Sequence, residues 1–421
     1  MLWPASSQHP MSIAASAEVA AAGYVSRLIK LDNPVRDYAW GSTTAIPALL
    51  GTEASGQPVA ELWIGAHPDS PSRSLARSDR PGLDALIAAD PAGLLGPDVA
   101  SRFGARLPFL VKLLAADRAL SIQVHPNQAQ AEAGYAAENA AGLAQDSPLR
   151  NYRDGHHKPE MAYAITEFDA FCGFRPVPGT VELLDALDVA PLRAYRDLLV
   201  GAGGPQAAFS ALLAVTGTER DQLIEQTLAG CRRLVGAGRR WTDVAAACLL
   251  AGADHPGDIG AVLLLLLNLV RLAPGEAIYL GAGNVHAYLR GVCLELLATS
   301  DNVLRAGLTG KHLDVPELVR IADFSPTVQP RLQPAEVTGG RVSFRPPVPD
   351  FELAVCRQPT ELPGRRPYLV LAGEAPVRLG EPAGNQAELA PWQAAFVAAG
   401  AGSCLAEPSG RLFVASVGAA R

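Results

Sequence analysis

The chain changes texture twice. From Leu28 to about Pro176, short apolar runs such as AELWIGAH, LPFLVKLL, LSIQVHP and EMAYAI are cut by Gly, Pro, Asn and Asp. Runs of that length between turn formers are strand signals. From about Val177 the pattern becomes long Leu/Ala segments at helical spacing, among them VELLDALD and RDQLIEQTLAGCRRLVGAG. Strand punctuation then returns with EAIYLGAGNVHAYLRGVCLELLA, and the last block holds short strands such as FELAVCRQ, PYLVLAG and RLFVASVG between Gly and Pro. A β block interrupted by a helical one and followed by a second β block predicts a mainly β chain with an inserted α domain. At 421 residues it also exceeds what one core supports. The expected division is a split β domain over 27–176 and 270–335, a helical insert over 177–269, and a C-terminal β domain over 336–421 of sandwich or barrel type. Residues 1–26 lie outside this pattern and read as a poorly ordered leader.

Composition narrows the function. Lys+Arg 35 against Asp+Glu 42 leaves a net charge of −7, and no basic run offsets it, which argues against nucleic acid and anionic membrane surfaces as partners. The longest apolar run, Ala261 to Leu267, falls far short of the roughly 20 residues of a spanning helix and reads as a buried helix. The six cysteines contain no C-x-x-C pair, which suits free buried thiols in a reducing cytoplasm. A cytoplasmic chain is expected, acting as a monomer, with a homodimer as the alternative.

Three polar patches stand out. In LSIQVHPN, strand alternation places Leu120, Ile122 and Val124 on one face and Ser121, Gln123 and His125 on the other. In HHKPE, the proline favours an extended Lys158, so that Lys158 and Glu160 project to one side. In GNVHAYLRGVCLELLA, a tight turn at Arg290-Gly291 would set His286 opposite Glu295 and gather Val285, Ala287, Leu289, Val292, Leu294 and Leu296 on the other face. Alone, the first patch reads more readily as a solvated strand face and the second as an exposed ion pair. Together, two His, a Glu and a Gln make a shell for a divalent metal, Zn²⁺ by donor type, with Fe, Mn or Co sharing the chemistry. Lys112 sits in a run that is apolar on both faces, so it needs an anion. Lys112, Lys158, Arg305 and Lys311 form a candidate basic pocket for a phosphate monoester.

The blocks YAWG (38–41), AELWIGAHP (60–68), LPFLVKLL (107–114), SIQVHPN (121–127), HKPEMAYAI (157–165), GNVHAYLRG (283–291) and ELLATSDNVLRAGLTGKHLDV (295–315) strongly resemble the zinc-dependent type I mannose-6-phosphate isomerase family. The resemblance implies cupin or jelly-roll β-sandwiches, bicupin-like, with a helical domain between the halves of the first. It implies one zinc ion per chain, with Gln123, His125, Glu160 and His286 as ligands. The implied activity is an aldose-ketose isomerisation of mannose 6-phosphate and fructose 6-phosphate through a cis-enediolate, feeding mannose into glycolysis or supplying precursor for GDP-mannose. Arg305 matches the catalytic arginine, Ser121, Lys112 and Lys311 match phosphate or substrate contacts, and Glu295, Asp301, His157 and Lys158 match positions for proton transfer. Gly310 departs from the proline often found before that lysine. The alternatives are another cupin-type metalloenzyme, such as an Fe(II) dioxygenase, and a catalytically silent sugar-phosphate-binding protein.

Overall fold

A computed structural model describes residues 27–418, apart from 239, 329, 383 and 401. The leader lies outside the described residues. The site belongs to a cupin-like β-sandwich whose two sheets share one long strand, His286–Ala298. Its first half pairs with Phe168–Phe174 and, at His286, with Ile122–Val124, which in turn pairs with Leu304–Gly307. Its second half lies between Phe109–Ala116 and Glu160–Ala164, with Glu61–Ile64 and Ala277–Leu280 beyond them.

This continuous strand replaces the expected hairpin. His286 faces Gln123 and Cys172 across the ladder, while Glu295 faces Lys112 and Ala162. The inferred faces nevertheless hold, because the register shifts by one residue between Tyr288 and Arg290. A bulge reverses side-chain parity as a tight turn does. Gly291 follows it at φ 113°, and a Cβ there would lie 2.2 Å from the Glu167 carbonyl oxygen, so a residue with a side chain does not fit where the strand passes between sheets.

The outer face of each sheet is covered. Val285, Ala287 and Leu289 pack with Ile122, Val124 and the helical domain, while Val292, Leu294 and Leu296 pack with Val111, Met161 and Phe351, Phe396 and Phe413 of the C-terminal sandwich. That burial on both sides explains why FLVKLLAA, buried throughout, carries no polar alternation. The helical domain includes Val177–Leu187, Gly217–Ala237 and Thr242–Asp254. The apolar run expected to be one buried helix divides into a helix Gly260–Leu263, a 3₁₀ turn Leu264–Leu266 and a strand Leu267–Leu272. An unbroken apolar run carries no period with which to separate helix from strand.

In the C-terminal sandwich a sheet containing Glu352–Cys356, Leu412–Ser416, Tyr368–Ala372 and Ala394–Val397 faces a smaller one built on Cys404–Pro408 and Val377–Gly380. The strand Leu28–Asp32, placed by sequence position with the first β domain, pairs with Ala394–Val397 in this second sandwich. Pairing of strands so distant in sequence leaves no local mark. All six cysteines are free and buried, and no helix among the described residues is long and apolar enough to cross a membrane.

Candidate metal centre and active-site cleft

His125, Glu160 and His286 meet between the two sheets, with one ligand atom from each lying within 4.8 Å of the others. The strand Ile122–Val124 leads into His125, and Asn127 then caps the helix Gln128–Ala140 through a reciprocal capping box with Gln130, fixing where the chain leaves the strand. His125 Nδ1 lies 2.7 Å from the Asn302 carbonyl oxygen and His286 Nδ1 3.0 Å from that of Asn284. A carbonyl only accepts, so each Nδ1 carries the proton, and in the neutral rings the lone pair sits at Nε2.

Those lone pairs point at a carboxylate. His125 Nε2 is 3.3 Å from Glu160 Oε1, and His286 Nε2 is 3.4 Å from Glu160 Oε2. Burial pushes His125 down to about 4, so a ring proton does not bridge the first pair at neutral pH, and this Nε2 is a buried atom without a hydrogen-bond partner. Burial opposes the charge on Glu160 as well, but the Lys158 ammonium, 3.4 Å from Oε1, favours the ionised form and lowers its pKa. A divalent cation held by these residues would turn the lone-pair repulsion into coordination. Gln123, paired with His286 across the ladder, donates its amide N–H to Ser121 Oγ at 3.1 Å and leaves its carbonyl oxygen as a further donor. Two imidazoles, a carboxylate and an amide oxygen fit zinc.

A cleft of about 940 Å³ opens above this centre. Its lining brings together Ser121, Gln123, Lys112, Lys158, Asp301, Arg305 and Lys311 from the expected set. The basic residues of this cleft are not equivalent, however. Lys112 Nζ is 3.2 Å from Glu295 and 3.5 Å from Glu61, and Lys158 Nζ is 3.4 Å from Glu160. Burial disfavours the charge on Lys112, but Glu61, Glu295 and Glu160 outweigh it and raise its pKa. These two lysines are spent on carboxylates. At the other end, burial lowers the pKa of Arg305 and of Lys311, with Arg153 repelling both and Arg305 repelling Lys311. That cluster of cations is the end suited to a phosphate dianion.

Glu295 is only 3% exposed, behind Lys112, and burial raises its pKa despite the lysine. His157 departs from the expectation. It lies outside the cleft lining, with Nε2 3.0 Å from Asp350 Oδ2 at the second sandwich. Four residues escaped the sequence reading. Arg153 joins the cationic end, and Glu61 balances Lys112 while accepting from Trp63 Nε1 at 2.6 Å. His67 Nδ1 accepts the Asp69 amide at 3.3 Å, so Nε2 carries the proton and faces Asp301 Oδ2 at 3.4 Å. Burial raises the Asp301 pKa, yet the contact with His67 brings it below the usual value. Asn302, fully buried, carries His125 on its carbonyl and ties down Arg153, Asp154 and His156 with its amide. The signal available for Glu61 was that AELWI is apolar on both faces, as for Lys112.

Residues 28–177 match the family described as phosphomannose isomerase type I, catalytic domain. Mannose-6-phosphate isomerase of Escherichia coli (strain K12) is 41% identical over 393 residues, covering 91% of this chain and 98% of that protein. The chain belongs to the type I phosphomannose isomerase family. Another phosphomannose isomerase, that of Homo sapiens, is 35% identical over 377 residues, covering 82% of this chain and 85% of its own. The crystal structure of mannose 6-phosphate isomerase from Salmonella typhimurium bound to fructose 6-phosphate and zinc superposes with a TM-score of 0.84 at 36% identity, covering 94% of this chain and 100% of that one.

Proposed function

We propose that the chain interconverts mannose 6-phosphate and fructose 6-phosphate, with one zinc ion held by Gln123, His125, Glu160 and His286. The observation that carries this reading is the pair of histidine lone pairs aimed at Glu160, beside a cleft whose lining also carries Arg153, Arg305 and Lys311. Family membership supports both substrate and metal.

Bound zinc would supply Lewis-acid stabilisation of negative charge on the sugar oxygens. The chain's own residues supply the rest. Lys311 and Arg153, with the Ser121 hydroxyl, bind the phosphate and set the sugar's register. Arg305, paired with Gln123 across the ladder, lines the cleft and adds fixed positive charge as the enediolate forms. The C2 proton must be removed and returned to C1. Asp301 and Lys158 face the cleft, whereas Glu295 lies behind Lys112 and His157 is held by Asp350. Asp301, oriented by His67 and lining the cleft, takes the role of proton carrier.

The test is a coupled assay for fructose 6-phosphate formed from mannose 6-phosphate, with and without chelator, together with wash-in of solvent deuterium at C2. Chelator-sensitive turnover is expected, and Asp301→Asn should slow the wash-in by about 10²-fold or more. Turnover that survives complete metal removal would overturn the metal reading, and unchanged wash-in in Asp301→Asn would overturn the proton assignment.

A further inference from the structure

Residues 151–159, which carry Lys158 and lead into Glu160, contain no helix or strand and owe their shape to tethers. Most come from the first sandwich and its neighbours. Asn302 holds the backbone of Arg153, Asp154 and His156, Ser300 Oγ donates to the His156 carbonyl at 3.1 Å, and Gln128 holds Gly155 and His157. One tether comes from the other sandwich. Asp350 lies two residues before the strand Glu352–Cys356, is 2% exposed, and accepts from His157 Nε2 at 3.0 Å. Arg106 bonds the neighbouring His156 ring at 3.3 Å and lies within electrostatic reach of Asp350.

We propose that Asp350 is a positioning residue of the metal centre: through His157 it fixes the segment that presents Lys158 and Glu160, making the second sandwich part of the support for the ligand set. A buried carboxylate that accepts from a histidine ring makes a strong, directional bond. His157 is three residues from Glu160, and the intervening Pro159 is stiff, so displacement of the ring is passed to the ligand instead of being absorbed. This also accounts for a histidine in the HKPE block that does not face the cleft. Phe351, the next residue, is fully buried in the core shared by the two sandwiches, so Asp350 has a rigid base.

This inference rests on the zinc reading above, and its test separates the two. Full-length zinc-loaded wild type, Asp350→Ala, Asp350→Asn, His157→Ala and the Asp350→Ala/His157→Ala double variant are mixed with the chromophoric chelator 4-(2-pyridylazo)resorcinol, and the rate of zinc release is followed. Asp350→Ala should release zinc about tenfold faster, the lower end of the range for residues that orient metal ligands. Asp350→Asn should recover most of the wild-type rate, because its amide oxygen accepts the same bond. The double variant should be no faster than the faster single variant, since both act through one contact. Folded Asp350→Ala with wild-type release, or single effects that add, would overturn the proposal. If Asp350→Ala does not fold, His157→Ala carries the test, and wild-type release from it overturns the proposal equally. A wild-type chain that binds no zinc overturns both readings, whereas zinc-loaded wild type with an indifferent Asp350→Ala overturns only this one.

Discussion

Replacing Lys112 by Met leaves two buried carboxylates facing one another without a counter-charge. Glu61 and Glu295 are 5% and 3% exposed, and the ammonium lies 3.5 Å and 3.2 Å from them. With an effective dielectric constant of about 20, each contact is worth about 5 kcal/mol in Coulomb energy. The lysine's own desolvation penalty, several kcal/mol, disappears with it, so the net loss is smaller than the two attractions together. Breaking a buried ion pair from one side costs about 3–5 kcal/mol, and that is the expected loss for Lys112→Met at pH 8. The pH dependence has a definite sign. Burial already raises the Glu295 pKa with the lysine present, and removal of Lys112 raises it further. A carboxyl group with a raised folded-state pKa binds more protons in the folded than in the unfolded chain between the two values, so folding is favoured as pH falls through that window. The variant's deficit should therefore shrink between pH 8 and pH 5.5. Urea unfolding of both proteins at the two pH values, followed by far-ultraviolet circular dichroism, measures it. Adding Glu295→Gln to the variant should restore part of the loss at pH 8, because one of the two unpaired charges is gone. A deficit below about 1 kcal/mol, or one that grows on acidification, would refute the reasoning.

Arg305→Ala should lower kcat by about 10²- to 10³-fold, the usual loss when a preorganised charge at a developing anion is removed, while the zinc content measured by atomic emission stays at one per chain. Lys311→Met and Arg153→Met should each raise KM for mannose 6-phosphate about tenfold or more with a much smaller change in kcat, and Lys112→Met should not show that split, because its ammonium is committed to Glu61 and Glu295. Chelation should lower the thermal midpoint. A free zinc concentration one hundred times its dissociation constant contributes about 2.7 kcal/mol to the folded state, so differential scanning calorimetry with and without added zinc should resolve the shift, and His125→Ala should abolish it.

Several features of the site follow from local pattern alone. Alternation in LSIQVHPN separates the apolar Ile122 and Val124 from Gln123, and the fold buries the former against the helical domain while Gln123 lines the cleft. The faces of His286 and Glu295 were likewise legible, although by a turn that does not exist, since a bulge and a hairpin impose the same parity. Lys112 announced an anionic partner by standing in an apolar run, but not which one. The lysines looked equivalent in sequence, yet Lys112 is neutralised by carboxylates on neighbouring strands, Lys158 by Glu160 two residues along, and Lys311 is left with Arg305 and Arg153.

The sequence by itself determined which stretches alternate like strands, which residues have polar faces, and, through its motifs, which family the chain joins. Those properties reside in spacings of a few residues, where the two-residue period of a strand and the 3.6-residue period of a helix can be read directly. Only the tertiary structure decided that one strand serves both sheets, that Leu28–Asp32 completes the distant sandwich, that His157 turns to Asp350, and that Arg153 rather than Lys112 joins the cationic end. Each of these is a pairing between groups far apart in the chain. Their energies depend on distance and burial in the folded molecule, which no local pattern encodes.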